Sequence, residues 1–368
     1  MKPERKSGKK NENKLLWDLE VKEIVRIFAA SLLNNHLMNM KKKIFMTLTL
    51  AFAMSAGMFA QTEPTVLEEG GSGPYKAVMY EVEGFKEHTV FAPKDLSVFN
   101  AKKALPVLVW GNGGCANSPR GHEKFLNDIA SYGYLVLATG IMPKQDAPRG
   151  FGGMGGGSQS RSEQQVESMD WAFAQNADKN SPFYQKIDTK NICISGMSCG
   201  GLQALFNCFD PRVTSIMICN SGLFDQVEEG PSAAPAPGAA PAPGGGRPGG
   251  PGAGRPRMGG MPSVAKSKLK EIHCPIIYIL GGETDIAYNN GMDDFKRIDH
   301  VPAIACNLPV GHGGTYNQPN GGEFAIVARA WLDWQLKGNQ EASKMFVGDK
   351  PAILQRKDWT LEKNGKVK

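Results

Sequence analysis

The chain has 368 residues, of which 41% are hydrophobic, and a formal net charge of +6. Eleven of its 42 Lys and Arg residues and five of its 36 Asp and Glu residues lie in the first 60 positions, which leaves 31 of each sign in the remainder. A body without net charge excludes the basic footprint of a nucleic-acid-binding protein, and its length suits one large domain or two small ones.

Residues 40–60 have the pattern of a secretory signal peptide. Three lysines at 41–43 precede an apolar run at 44–59, and the small residue Ala60 follows. The run is too short for a convincing membrane span, so we expect a secreted or periplasmic protein without stable membrane insertion after signal cleavage. We interpret the Lys- and Asn-rich residues 1–39 as a non-native or disordered extension, and a genuine cytoplasmic extension is the alternative.

Strand and helix patterns alternate along the rest of the chain. Two opening strands near 75–81 and 88–92 are predicted to pair antiparallel, and the later apolar runs are continuous, as in parallel strands buried on both faces. We expect residues 61–368 to form a single α/β domain, a mostly parallel sheet flanked by helices on both faces. The predicted later strands are 105–110, 134–139, 192–194, 213–219, 275–280 and 303–308, and the predicted helices are 121–132, 163–176, one beginning after Ser198, 290–298 and 323–336.

Residues 230–261 are almost entirely Pro, Ala and Gly with a few Arg. Such a segment cannot bury enough apolar surface to offset the conformational entropy lost on ordering, so we predict disorder. The alternating pattern resumes after it. The segment is therefore an insertion in one domain rather than a boundary between two.

A G-x-S-x-G sequence, Gly196-Met-Ser-Cys-Gly200, stands between the predicted strand 192–194 and the next helix. In this setting a serine on a strained strand-to-helix turn projects its hydroxyl from the sheet, and flanking glycines let backbones pass closely. The helix behind it directs free N–H groups toward the place where an oxyanion would form. A chance pentapeptide is the alternative. The strand and helix around it favour a nucleophile at Ser198.

A base and an acid are predicted at two later strand ends. His312 lies between glycines after the last predicted strand, and Asp285 follows the strand at 275–280. The carboxyl ends of parallel strands meet at one edge of a sheet, and the order Ser–Asp–His is the one found with a nucleophile elbow. His312 would take the serine proton and Asp285 would orient the imidazole. Other acids near Asp285 remain alternatives; these are Glu283, Asp293 and Asp294.

The oxyanion hole is predicted to combine the backbone N–H of Cys199 with donors at Gly113 and Gly114, after the strand at 105–110. Two loops that share an oxyanion lie close together, so we predict a disulfide between Cys115 and Cys199; two unpaired small residues are the alternative. The seven cysteines fit no zinc pattern, and we interpret those at 193 and 219 as small buried hydrophobes.

These motifs resemble the α/β-hydrolase superfamily over the whole body of the chain. The resemblance rests on WGNGGC at 110–115, GMSCGG at 196–201, GGETD at 281–285, GHGGTY at 311–316 and AWLDWQLKG at 330–338. The last motif and the general layout resemble the dienelactone-hydrolase, polyhydroxyalkanoate-depolymerase and cutinase-like esterase branch. This resemblance implies the α/β-hydrolase fold and ester hydrolysis through an acyl-enzyme. The insertion departs from the branch, since it occupies a place where relatives often carry a lid.

The sequence therefore predicts a serine esterase that needs no metal and no organic cofactor. Its pocket is expected to include Ile141, Met142, Phe151 and Tyr316. The substrate is expected to be a small-molecule, saccharide or polyester ester, among which the motifs do not choose. A serine peptidase is one alternative, because the doubled glycine after Cys199 also resembles prolyl-oligopeptidase-type enzymes. A non-catalytic binding protein on the same fold is the other.

Overall fold

Nine strands form one sheet in the computed structural model, which describes residues 62–142, 159–225 and 264–368. The strands are β1 (Ala77–Tyr80), β2 (His88–Pro93), β3 (Leu105–Gly111), β4 (Leu135–Thr139), β5 (Ile187–Met197), β6 (Ser215–Cys219), β7 (Ile276–Leu280), β8 (Ala303–Asn307) and β9 (Thr360–Lys363). The predicted signal peptide (40–60), the extension before it (1–39), the insertion (230–261) and Phe151 lie outside the described residues.

The sheet is mostly parallel, as predicted. Its order is β1-β2-β4-β3-β5-β6-β7-β8-β9. The six strands from β4 to β8 in that order run parallel, whereas β1 and β2 at one edge and β9 at the other pair antiparallel. All six parallel strands therefore present their carboxyl ends at the same edge, which is called the carboxyl edge below.

Helices cover both faces of the sheet. The described helices are α1 (Glu123–Ser131), α2 (Glu163–Ala177), α3 (Cys199–Asn207), α4 (Tyr288–Arg297), α5 (Gly322–Lys337) and α6 (Gln340–Ser343). Val107 and Val109 of β3 join a core with residues of α2, α3 and α4. Leu108 and Trp110 of the same strand join a second core with α1 and α5. Successive side chains of a strand point to opposite faces, which is why one continuous apolar run fills both cores.

Two parts of the sheet differ from the prediction. β5 begins at Ile187 rather than Ile192, because a register shift between Pro106 and Val107 accommodates a polar stretch that shows no strand pattern. β9 was missed, since its side chains are largely exposed and it lies at the sheet edge. No helix within the described ranges is long and apolar enough to cross a membrane.

Candidate active site

Ser198 occupies the turn between β5 and α3, in the conformation that the motif predicts. Its φ is 52° and its ψ is −116°, a backbone region that costs a non-glycine residue free energy. Two hydrogen bonds fix the backbone of the turn. The Ser198 N–H donates to the carbonyl of Cys219 at 3.0 Å, and the Ser221 hydroxyl donates to the Ser198 carbonyl at 2.7 Å. The strain is thus maintained by β6 and the residues after it.

Glycines beneath the turn let three backbones cross. A Cβ at Gly200 would overlap the carbonyl group of Gly111 at the end of β3, and a Cβ at Gly196 would overlap the carbonyl group of Gly200. The first turn of α3 therefore packs directly on the end of β3. The Gly200 N–H donates to the carbonyl of Asn112 at 3.0 Å across this contact.

The base and the acid meet Ser198 at the carboxyl edge. The Ser198 hydroxyl lies 3.0 Å from Nε2 of His312, and Nδ1 of His312 donates to Oδ1 of Asp285 at 2.6 Å. Ser198 follows β5, Asp285 follows β7 and His312 follows β8. The three residues that the sequence places far apart are thus joined by two hydrogen bonds, in the order nucleophile, base, acid.

Asp285 is almost completely buried, with 3% of its surface exposed. Its two oxygens are divided between partners: Oδ1 accepts from the Ala287 N–H at 2.9 Å as well as from His312, and Oδ2 accepts from the Gly281 N–H at 3.0 Å and from Asn220 Nδ2 at 2.7 Å. Burial raises the pKa of this carboxyl, but the hydrogen bonds from these four groups outweigh burial and lower it below its usual range. Asp285 is therefore ionised at neutral pH.

The alternative acids have other partners. Asp293 forms ion pairs with Lys266 and Arg297. Asp294 is buried beside Lys266 and accepts a hydrogen bond from the Leu223 N–H. Glu283 is exposed. Among the described acids, Asp285 alone has the hydrogen bond to His312.

The predicted oxyanion loops lie together. Cys115 and Cys199 form a disulfide with their Cα atoms 5.1 Å apart, and a Cβ at Gly113 would overlap Sδ of Met197, the residue before the nucleophile. The Cys199 N–H begins α3 and has no acceptor among the described residues. Gly114, with φ 63°, turns the chain between Gly113 and Cys115. The arrangement brings the loop at Gly113 and Gly114 close to the first turn of α3, whose first N–H groups have no partner within the helix.

The predicted pocket residues have different positions. Ile141 follows β4 at the carboxyl edge and is 46% exposed, and Met142 beside it is partly buried. The prediction that Tyr316 lines the pocket is wrong, since only 1% of its surface is exposed and it belongs to the core that contains α1 and α5. Its ring packs edge-on against the rings of Trp110 and Phe125 beneath the site.

Sequence reasoning missed two asparagines that organise the site. Asn112 follows β3, and its side chain donates to the carbonyls of Thr139 at 2.6 Å and Ala116 at 3.0 Å, which fixes the loop that carries Gly113. Asn220 follows β6 and contacts Asp285. Both obey the rule that found the triad, because each is a polar residue directly after a buried parallel strand.

The described residues contain no group of three or more His, Cys, Asp and Glu side chains that could hold a metal ion. No family model and no curated protein matches the chain.

Proposed function

We propose that the protein is a secreted serine hydrolase of the α/β-hydrolase type that cleaves carboxylic esters through an acyl-enzyme. The observation that carries the proposal is the pair of hydrogen bonds that links a strained serine, a histidine and a buried ionised aspartate. A serine activated by a base that is itself oriented by a third group is the arrangement of nucleophilic acyl transfer.

The geometry supports a conventional two-step reaction. As the Ser198 oxygen attacks the ester carbonyl, its proton passes to Nε2 of His312, and Asp285 stabilises the imidazolium through Nδ1. The N–H of Cys199 and the loop at Gly113 and Gly114 would receive the developing negative charge. His312 then protonates the leaving alkoxide. In the second step water attacks the carbonyl carbon of the acyl-enzyme while His312 accepts its proton, and His312 returns this proton to the Ser198 oxygen as the bond to the acyl group breaks and the acid product leaves.

The disulfide supports export. Disulfides persist in oxidising compartments and are rare in the reducing cytosol. The Cys115–Cys199 bridge and the signal-peptide pattern at 40–60 therefore favour the same location, and we propose a secreted or periplasmic enzyme.

Labelling with a fluorophosphonate tests the proposal. We expect covalent labelling of the wild type and none of Ser198→Ala, while Ser97→Ala, at an exposed serine outside the site, labels like the wild type. A panel of p-nitrophenyl acyl esters and aminoacyl amides then separates an esterase from a peptidase. Labelling that does not depend on Ser198 would refute the proposed nucleophile. An absence of labelling in all variants would favour a binding protein on this fold.

A further inference from the structure

Asn220 holds an unusual backbone conformation at the end of β6. Its φ is 43°, and its N–H donates to the carbonyl of Ile279 in β7 at 2.9 Å. The left-handed region is uncommon for residues other than glycine, and asparagine is among those that tolerate it best. The side chain is completely buried. The conformation therefore directs an amide into the protein beneath the candidate active site.

The amide of Asn220 connects three residues. Its Nδ2 donates to Oδ2 of Asp285 at 2.7 Å and lies 3.4 Å from the carbonyl oxygen of Gly311, the residue before His312. Its Oδ1 accepts from the Tyr316 hydroxyl at 2.5 Å. One side chain thus contacts both the carboxylate and the loop that carries the base.

The chemistry of the two neighbours fixes which end of the amide faces each. The ionised Asp285 can only accept, so the group that faces it must be the Nδ2 donor. The Tyr316 hydroxyl therefore donates to the Oδ1 of Asn220. Burial raises the pKa of Tyr316 well above its ordinary value, so this hydroxyl keeps its proton and can donate at neutral pH. Tyr316 therefore locks the amide orientation that Asp285 requires.

We propose that Asn220 and Tyr316 are positioning residues of the proposed hydrolase, which act in series to hold Asp285 with its Oδ1 toward His312. The inference rests on the proposed function of the site. Asn220 and the Gly281 N–H occupy Oδ2, which leaves Oδ1 for the ring. Without the amide, the carboxylate would lose one of its four hydrogen-bond donors and the contact that joins it to the Gly311 loop.

Three variants test the chain of contacts. Tyr316→Phe removes only the hydroxyl, Asn220→Gly removes the amide at a φ that glycine accepts, and Asn220→Asp keeps the shape but sets an acceptor against Asp285. A hydrogen bond to a charged group is worth enough to change a rate by about tenfold to 100-fold. We expect kcat to fall by that factor in Asn220→Gly and more in Asn220→Asp, with KM nearly unchanged. Tyr316→Phe should lose less.

A purely structural role would not move the pH profile. The titratable groups around Asp285 are His312 at hydrogen-bond distance, Tyr316 behind Asn220 with Cys219 beside it, and the exposed Glu283. Loss of the amide donor leaves Asp285 easier to protonate, so the acid limb of kcat/KM should move to higher pH. A structural defect would instead lower the thermal stability and the titratable fraction of active enzyme, and it would leave the acid limb of kcat/KM at the same pH.

A double variant tests whether Tyr316 acts on Asp285 only through Asn220. If Tyr316 acts only through Asn220, the Tyr316→Phe/Asn220→Gly double variant should be no slower than Asn220→Gly alone. Multiplicative losses in the double variant, or an unshifted acid limb in Asn220→Gly, would overturn the inference.

A measurement without turnover separates this inference from the proposed function. Proton NMR should show a downfield resonance for the His312 Nδ1–H in its hydrogen bond to Asp285, absent in His312→Gln. We expect Asn220→Gly to shift it. If the wild type fails to label with a fluorophosphonate, the proposed function fails while this resonance still tests the positioning. An unchanged resonance in Asn220→Gly would overturn the positioning even in an active enzyme.

Discussion

Removal of the Cys115–Cys199 disulfide should lower both stability and activity. The two cysteines are 84 positions apart in the chain, so the bridge closes a long loop in the unfolded state. The chain-entropy relation for a loop of that size gives about 4.5 kcal/mol of stabilisation. The bridge also joins the two loops of the proposed oxyanion hole. Complete loss of one oxyanion donor costs about 100- to 1,000-fold in kcat, and we expect the looser loops to cost between about tenfold and 100-fold.

The assay is urea unfolding of the wild type and of the Cys115→Ala/Cys199→Ala double variant, followed by circular dichroism, with ester turnover measured on the same samples. Cys208→Ala, which removes a buried free thiol, is the matched control and should lose only about 1 kcal/mol. Reductant should bring the wild type to the stability of the double variant and leave the double variant unchanged. A double variant within about 1 kcal/mol of the wild type would refute the loop-entropy reasoning. Undiminished turnover would refute the role of the bridge in the oxyanion hole.

Three further changes have defined outcomes. Gly200→Ala should abolish folding or activity, because the added Cβ would overlap the backbone of Gly111 at the end of β3. Gly121→Ala is the control, since the space around Gly121 is open, and it should melt at the same temperature as the wild type. Equal melting temperatures for the two variants would contradict the close packing of α3 on β3. Burial lowers the pKa of His122 to about 4, so stability should fall by about 3 kcal/mol as the pH drops from about 6.5 to about 4. Urea unfolding of His122→Gln should lack this slope, and a parallel slope in the variant would assign it to other groups. The Trp331 indole N–H donates to the Ser215 hydroxyl at 2.9 Å, so Ser215→Ala leaves this N–H without its acceptor and should lower the free energy of unfolding by about 1–3 kcal/mol. The Ser215→Ala/Trp331→Phe double variant should lose less stability than the sum of the two single variants. Strictly additive losses would contradict the hydrogen bond between the two side chains.

The triad could be located from sequence because parallel strands bring their carboxyl ends to one edge. Ser198, Asp285 and His312 each follow a continuous apolar run, so their convergence required only that the three runs belong to the same sheet. The choice of Asp285 over nearby acids had the same basis, since Asp293 and Asp294 lie within α4 rather than at a strand end.

The second layer of the site could not be predicted in the same way. Asn220 also follows a strand, but an amide carries no chemistry that would single it out, and its role comes from a φ that the sequence does not display. Tyr316 was expected in the pocket, and it lies four residues after His312 in the sequence. Gly311 and Gly314, with φ of 73° and 57°, turn the chain between them and send the ring into the core. Proximity in sequence does not determine direction across such turns.

The five cysteines outside the disulfide can report local unfolding, because a thiol reagent reaches each of them only when its part of the structure opens. All are buried, and burial raises the pKa of each thiol, as it does to about 12 at Cys219 and Cys274. The thiolate is the reactive form, so a bulky maleimide should find none of them in the folded protein. Because these residues are spread over β5, β6 and β8, the end of α3 and the approach to β7, the order in which they become alkylated during denaturation would map, strand by strand, which part of the sheet separates first.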